Sequence, residues 1–162
     1  MSVEQIRLTL EKLIKLHKDL ISSAARKTEI VKKGDTQALN QLLIDEQKYV
    51  KAIENTENER EKAVEAFLKS KGQPEAASSI NRIIELSSPT DAEDLTKLKD
   101  ELLNEALKLK ELNYLNQQLI YQSLQFVNTT LDMLQPQNQQ FNYNNPIKQN
   151  PQGSNSMFDS RA

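Results

Sequence analysis

There is no cysteine in the 162 residues, which removes disulfides and thiolate metal sites. Histidine occurs once, as His17, and no Gly-rich phosphate loop is present. No catalytic, metal or cofactor constellation assembles from these residues, so neither an enzyme activity nor a bound cofactor is expected. Glycine is also scarce, three in all, beside abundant Leu, Lys, Glu and Gln, which indicates long helices and few turns. No excess of one charge is available: the formal net charge is −2 and 27% of residues are charged. Runs of Lys and Arg do not exceed two or three residues, too little clustered positive charge for nucleic acid. The first residues, MSVEQIRLTLEKL, lack a basic stretch followed by an apolar one. No secretory signal is expected, and the cytoplasm is the default compartment.

A local absence is more informative. From Leu112 to Leu131 there is not one Lys, Arg, Asp or Glu. Apolar residues recur there at helical spacing with no Pro or Gly, which predicts a helix. Asn113, Asn116, Gln117, Gln118, Gln122, Gln125 and Asn128 are too many amides for a membrane span, so no insertion is expected. A solvated helix face normally carries charge, whereas interface cores lose charge and retain aromatics. Upstream, Leu95, Leu98, Leu102, Leu109, Leu112, Asn116 and Leu119 form one seam, and Leu103, Leu107, Tyr114, Tyr121 and Leu124 a second stripe beside it. Two stripes make an apolar surface wider than one partner helix needs. Either two helices of the same chain cover both, or a foreign helix covers part.

The rest of the chain predicts an all-α, antiparallel helical hairpin and bundle with coiled-coil character, three long helices plus one short one. Ser2 and Gln5 form a capping-box pattern, and Val3, Ile6, Leu10, Leu13, His17, Leu20 and Ala24 a heptad seam. His17 on that seam reads as a packed or hydrogen-bonded core histidine. Gly34 suits the left-handed end of the first helix and Asp35 the cap of the second, a joint short enough to make a hairpin. The second seam runs from Leu39 to Phe67, interrupted by Glu46, Thr56 and Arg60, and the Gly72–Pro74 stretch ends it. A short helix is expected over Glu75–Leu86, then a linker, then a last helix with Thr90 and Glu93 as its capping box. Glu46 and Arg60 are each expected to reach the rim or pair with a charge on a neighbouring helix, the alternative being that Arg60 contacts a partner, while Asn113 and Asn116 either select a partner or pair inside the bundle. Residues 1–134 read as the helical domain. Residues 135–162, rich in Asn, Gln, Pro and Ser, read as a disordered tail whose Met157 and Phe158 are either an incidental apolar pair or a short docking motif.

These features resemble the FlgN family of flagellar export chaperones. The residues that carry the resemblance are Leu13, His17 and Leu20, the Lys33-Gly34-Asp35 joint, and Leu42, Glu46 and Arg60. To them add Asn113, Asn116, Leu119, Ile120, Ser123, Leu124 and Phe126 on the last helix, and the closing Met157-Phe158-Asp159-Ser160-Arg161-Ala162, which is similar to the ending of Gram-positive versions. The resemblance implies a cytoplasmic holdase whose clients are the FlgK-like and FlgL-like hook–filament junction proteins, with export apparatus components as further partners. The client's C-terminal helical segment would lie on Leu112, Asn113, Asn116, Leu119, Ile120, Ser123, Leu124, Phe126 and Val127. The competing reading is a self-associating coiled-coil scaffold or adaptor, in which a second copy covers Leu112–Leu131. The residues leave monomer and dimer both open.

Overall fold

In the computed structural model, residues 2–73 and 79–134 are described, Ser2 through its backbone alone. Four helices follow in order: α1 (Ser2–Lys33), α2 (Thr36–Ser70), α3 (Ile80–Leu86) and α4 (Pro89–Leu134), and among the described residues there is no strand. The all-α expectation of three long helices and one short one is met. The Ser2 capping box, the start of the short helix at Glu75, and the tail with Met157 and Phe158 lie outside the described residues.

The ends of α1 and α2 follow from local chemistry. Gly34 sits at φ 70°. Its N–H donates to the Val31 carbonyl at 3.1 Å, and the Asp35 N–H reaches Ile30 at 3.3 Å, so a Schellman turn satisfies two carbonyls of the last turn. Asp35 then accepts the Ala38 N–H on its side chain at 3.0 Å and starts α2. Gly72, at φ 71°, closes α2 the same way, with Gln73 donating to Leu68 at 2.9 Å. A Cβ at Gly34 would meet nothing within 4 Å, so substitution is opposed by backbone conformation alone. We expect Gly34→Ala to lower unfolding free energy in urea by about 1 kcal/mol. An unchanged midpoint would show that the joint tolerates a left-handed alanine.

Helix α4 begins two residues earlier than its sequence suggests. The expected Thr90–Glu93 capping box is not what forms. Ser88 accepts the Asp91 N–H at 3.2 Å and donates its hydroxyl to the Asp91 carboxylate at 2.9 Å. Pro89 thereby occupies the first helical position, where its missing N–H costs nothing and its fixed φ already suits the helix. The expected linker is shortened accordingly.

By contacts the chain divides into a unit from Met1 to Leu119 and a second from Ile120 to Ala162. Within the first, Lys12 pairs with Glu59 and Lys27 with Glu46, so α1 and α2 are antiparallel. Lys18 pairs with Glu101 and Thr28 bonds to Asn116, so α4 runs parallel to α1. The apolar core lies at the end where α1 starts: Ile6, Leu10, Val64, Phe67, Leu68, Ile83 and Leu95 form one cluster. Ile83 brings α3 into that cluster as a short fourth helix. In the second unit, every side chain from Tyr121 to Leu134 except Thr130 is exposed.

Candidate functional site

The two stripes of α4 have opposite fates. In the first unit, Leu95 is fully buried and Leu98, Leu102, Leu109, Leu112 and Leu119 are half-buried, while Leu103, Leu107 and Tyr114 of the second stripe are exposed. Here the helix has one width of apolar seam covered by its own chain and another that the described residues leave exposed. In the second unit, Tyr121, Leu124, Phe126, Val127 and Leu131 are exposed, Phe126 at 73%. Tyr121 there accepts a hydrogen bond from Gln125 at 3.0 Å, one turn along the same helix.

Asn113 and Asn116, equal candidates in the sequence, are separated by the structure. Asn113 is exposed. Asn116 is 2% exposed and turned into the bundle, where its amide N–H donates to the Ala24 carbonyl at 2.9 Å and its oxygen accepts from Thr28. A visiting chain would reach Asn116 only by displacing α1, so its membership of the expected partner face is corrected: this amide fixes the parallel register of α1 and α4. Of the remaining expected residues, Ile120 is half-buried, and Ser123, Leu124, Phe126 and Val127 are exposed.

Glu105 was missed by the sequence reading. It stands on the first seam midway between Leu102 and Leu109, buried at 9% and 3.3 Å from Lys108. Continuing the Leu98–Leu102–Leu109–Leu112 spacing through position 105 would have found it.

A second polar contact crosses between α1 and α2. Lys27 meets Glu46 at 2.8 Å with both side chains 13% exposed, and Ser23 also donates to Glu46. Glu46 thus pairs across the hairpin as expected. Arg60 instead pairs within its own helix, with Glu57 one turn back. Hydrogen bonds from Arg60 hold the Glu57 carboxyl below the usual carboxylate range; partial burial opposes this, and the Arg60 and His17 charges add to it. A carboxyl with a lowered folded pKa contributes stability above its unfolded pKa and loses it as pH falls through the folded value. The Glu57 side chain is 41% exposed, so solvent screening keeps the effect under about 0.5 kcal/mol. We expect Glu57→Gln to flatten the acid limb of a stability-versus-pH curve slightly and leave neutral pH nearly unchanged.

His17 donates its Nδ1–H to the Leu13 carbonyl at 2.7 Å, since that carbonyl can only accept. The ring borders an open groove of about 420 Å³, whose other side is α4: Ala106, Leu109, Lys110, Asn113, Tyr114 and Gln117. An open, mostly apolar trough edged by the Asn113 and Gln117 amides is a shape in which a protein segment can lie. Among the described residues no group of three His, Asp or Glu is placed to hold a metal, and no helix is long and apolar enough to cross a membrane.

Comparison with known proteins agrees with this picture. No solved structure matches the chain. It is 38% identical, over the full length of both chains, to the uncharacterized protein YvyG of Bacillus subtilis (strain 168). Residues 1–151 match the family described as FlgN protein. With nearly the whole chain inside that match, and a relative of equal length beside it, the protein belongs to the FlgN family.

Proposed function

We propose that this protein is a cytoplasmic holdase for secreted flagellar proteins, FlgK-like and FlgL-like junction proteins, and that it binds their C-terminal helical segment along α4. The FlgN family is a family of flagellum-associated chaperones, not of enzymes, which sets the general role. The observation that supports this reading is the exposed apolar side chains of α4, Leu103, Leu107 and Tyr114 in the first unit and, separately, Leu124, Phe126 and Val127 in the second. Exposed apolar residues clustered on one element mark interaction surfaces. An amphipathic helix laid on such a face buries its own apolar stripe in return. The proposed contacts are Leu112, Asn113, Leu119, Ile120, Ser123, Leu124, Phe126 and Val127; Asn116 is enclosed against α1.

Holding follows from mass action. Occupying the client's sticky helical end stabilises the bound state by an amount set by client concentration relative to Kd, and keeps that surface from aggregating. Part of the contact energy offsets ordering of the client segment, which leaves affinity moderate and release feasible. The test is fluorescence anisotropy with labelled C-terminal segments of FlgK-like and FlgL-like proteins, alongside pull-downs with clients lacking those ends. We expect binding that disappears with the C-terminal end. Equal capture of truncated clients would refute the reading, and a tight dimer by light scattering that masks the face would favour the scaffold.

A further inference from the structure

Lys110, Asn113, Tyr114 and Gln117 follow three- and four-residue steps along α4, so they share one face of the helix. All four line the groove of about 420 Å³ beside His17, and none is hydrogen-bonded or ion-paired to a described residue. Carboxylates on the packed helices are engaged elsewhere: Glu57 with Arg60, Glu101 with Lys18 and Glu105 with Lys108. Glu111, next to Lys110 in sequence, does not line the groove. Among the described residues, then, no acid lines it, and the Lys110 ammonium is unopposed there. The apolar part of the lining is Ala106 and Leu109, both half-buried. His17 already directs its Nδ1–H to the Leu13 carbonyl.

We infer that this groove receives the free carboxyl end of the client's last helical turn. This rests on the proposed holdase reading and deepens it, by fixing which end of the guest sits here and what chemistry recognises it. The carboxyl end of a helix presents carbonyls with no intrahelical partner, the negative end of the helix dipole and, where the chain stops, a carboxylate. All of these accept hydrogen bonds or attract a cation. The groove offers the complement: an ammonium at Lys110, two amides at Asn113 and Gln117, and a hydroxyl at Tyr114, every one of them able to donate. An amino-terminal helix end would turn its own N–H groups and positive dipole toward Lys110. The middle of a helix has no unsatisfied backbone groups to bring. A groove of this volume admits about one helical turn, which also favours an end over a long run. Ala106 and Leu109 then take the last apolar side chain of the guest.

The test titrates a FlgK-like C-terminal segment, labelled at its amino end, into the full chain in two forms, free acid and C-terminal amide. The amide keeps the shape and removes the charge. We expect the amide to bind about fivefold more weakly, and Lys110→Met to weaken the acid by about as much and erase the difference between the two. Lys110 is exposed, so circular dichroism and melting of the variant should be unchanged. Equal affinity for acid and amide in the unaltered chain would overturn carboxylate recognition and leave the holdase reading standing. A preference for the acid that survives Lys110→Met would place the carboxylate elsewhere, with the same consequence. So would Lys110-dependent weakening by Glu→Gln changes inside the segment while the amide binds normally, because a side chain would then be the source. Failure of both forms to bind the unaltered chain would overturn the holdase reading and this one with it. Sedimentation as a dimer that Lys110→Met dissociates would give the groove to a second copy, and an acid preference seen only after truncation at Leu134 would give it to the chain's own carboxyl end; either overturns the client as occupant.

Discussion

Replacing Phe126 and Val127 together by aspartate is expected to weaken binding of a FlgK-like C-terminal segment at least 100-fold and to leave the fold intact. Both side chains are exposed in the free protein, at 73% and 50%, so little packing is lost when they go. Substitutions at such positions usually change stability by no more than about 0.5 kcal/mol. In a complex the same two side chains would be covered, each worth about 1.5–3 kcal/mol of apolar burial. Scaled to those exposures, losing both removes at least about 2 kcal/mol, and every 1.4 kcal/mol is tenfold in Kd. The aspartates add a desolvation cost on a face that carries no charge from Leu112 to Leu131. Anisotropy titration reads the affinity, and circular dichroism reads the fold. Unaltered affinity would move the client site away from this end of α4; loss of helicity would show that the two residues belong to a core.

The second large effect concerns the ion pair between α1 and α2. Glu46→Ala is expected to destabilise the bundle by about 3 kcal/mol, because it strands the Lys27 ammonium in a site only 13% exposed. For a chain of this size that is a fall in melting temperature of about 10 °C. Replacing both partners by apolar residues, Lys27→Met with Glu46→Leu, is expected to be neutral or mildly stabilising, because neither charge then needs solvating. The comparison separates two roles. If the single variant melts within 2–3 °C of the unaltered chain, the pair behaves as a solvated surface bridge. If the double variant keeps its stability yet associates or loses a single well-defined fold, the pair and the nearby Asn116–Thr28 bond act as register devices. The distribution of polar contacts along the bundle favours such a role. The end near α3 is a dry cluster of aliphatic and aromatic side chains, whereas the end near Gly34 is joined by Ser23, Lys27, Glu46, Thr28 and Asn116.

Helix existence and most helix ends were legible from local chemistry, because the groups that decide them are neighbours in the chain. Gly34 in the left-handed region and the Asp35 cap need only the residues around them. The α4 cap was misplaced at Thr90–Glu93 because two hydroxyl-x-x-carboxylate patterns overlap there. Pro89 breaks the tie in favour of Ser88 by taking the first helical position. The uncovered stripe was legible as an excess of apolar width. Spacing groups residues that share a face; it says nothing about which face another helix will cover.

Composition and periodicity by themselves determined that this chain is helical and lacks the side chains for catalysis by cysteine or for a cluster of imidazoles. They also determined that its last helix carries more apolar surface than one neighbour can bury, since all of these are properties of residue type and of the 3.6-residue repeat. Only the tertiary structure decided that Asn116 faces α1 while Asn113, one turn away, faces water, and that Glu105 is buried while Leu103 and Leu107 are not. Those outcomes depend on α4 lying parallel to α1. That alignment is set by contacts about ninety positions apart in the chain, such as the bond from Asn116 to Ala24, and no local pattern encodes it.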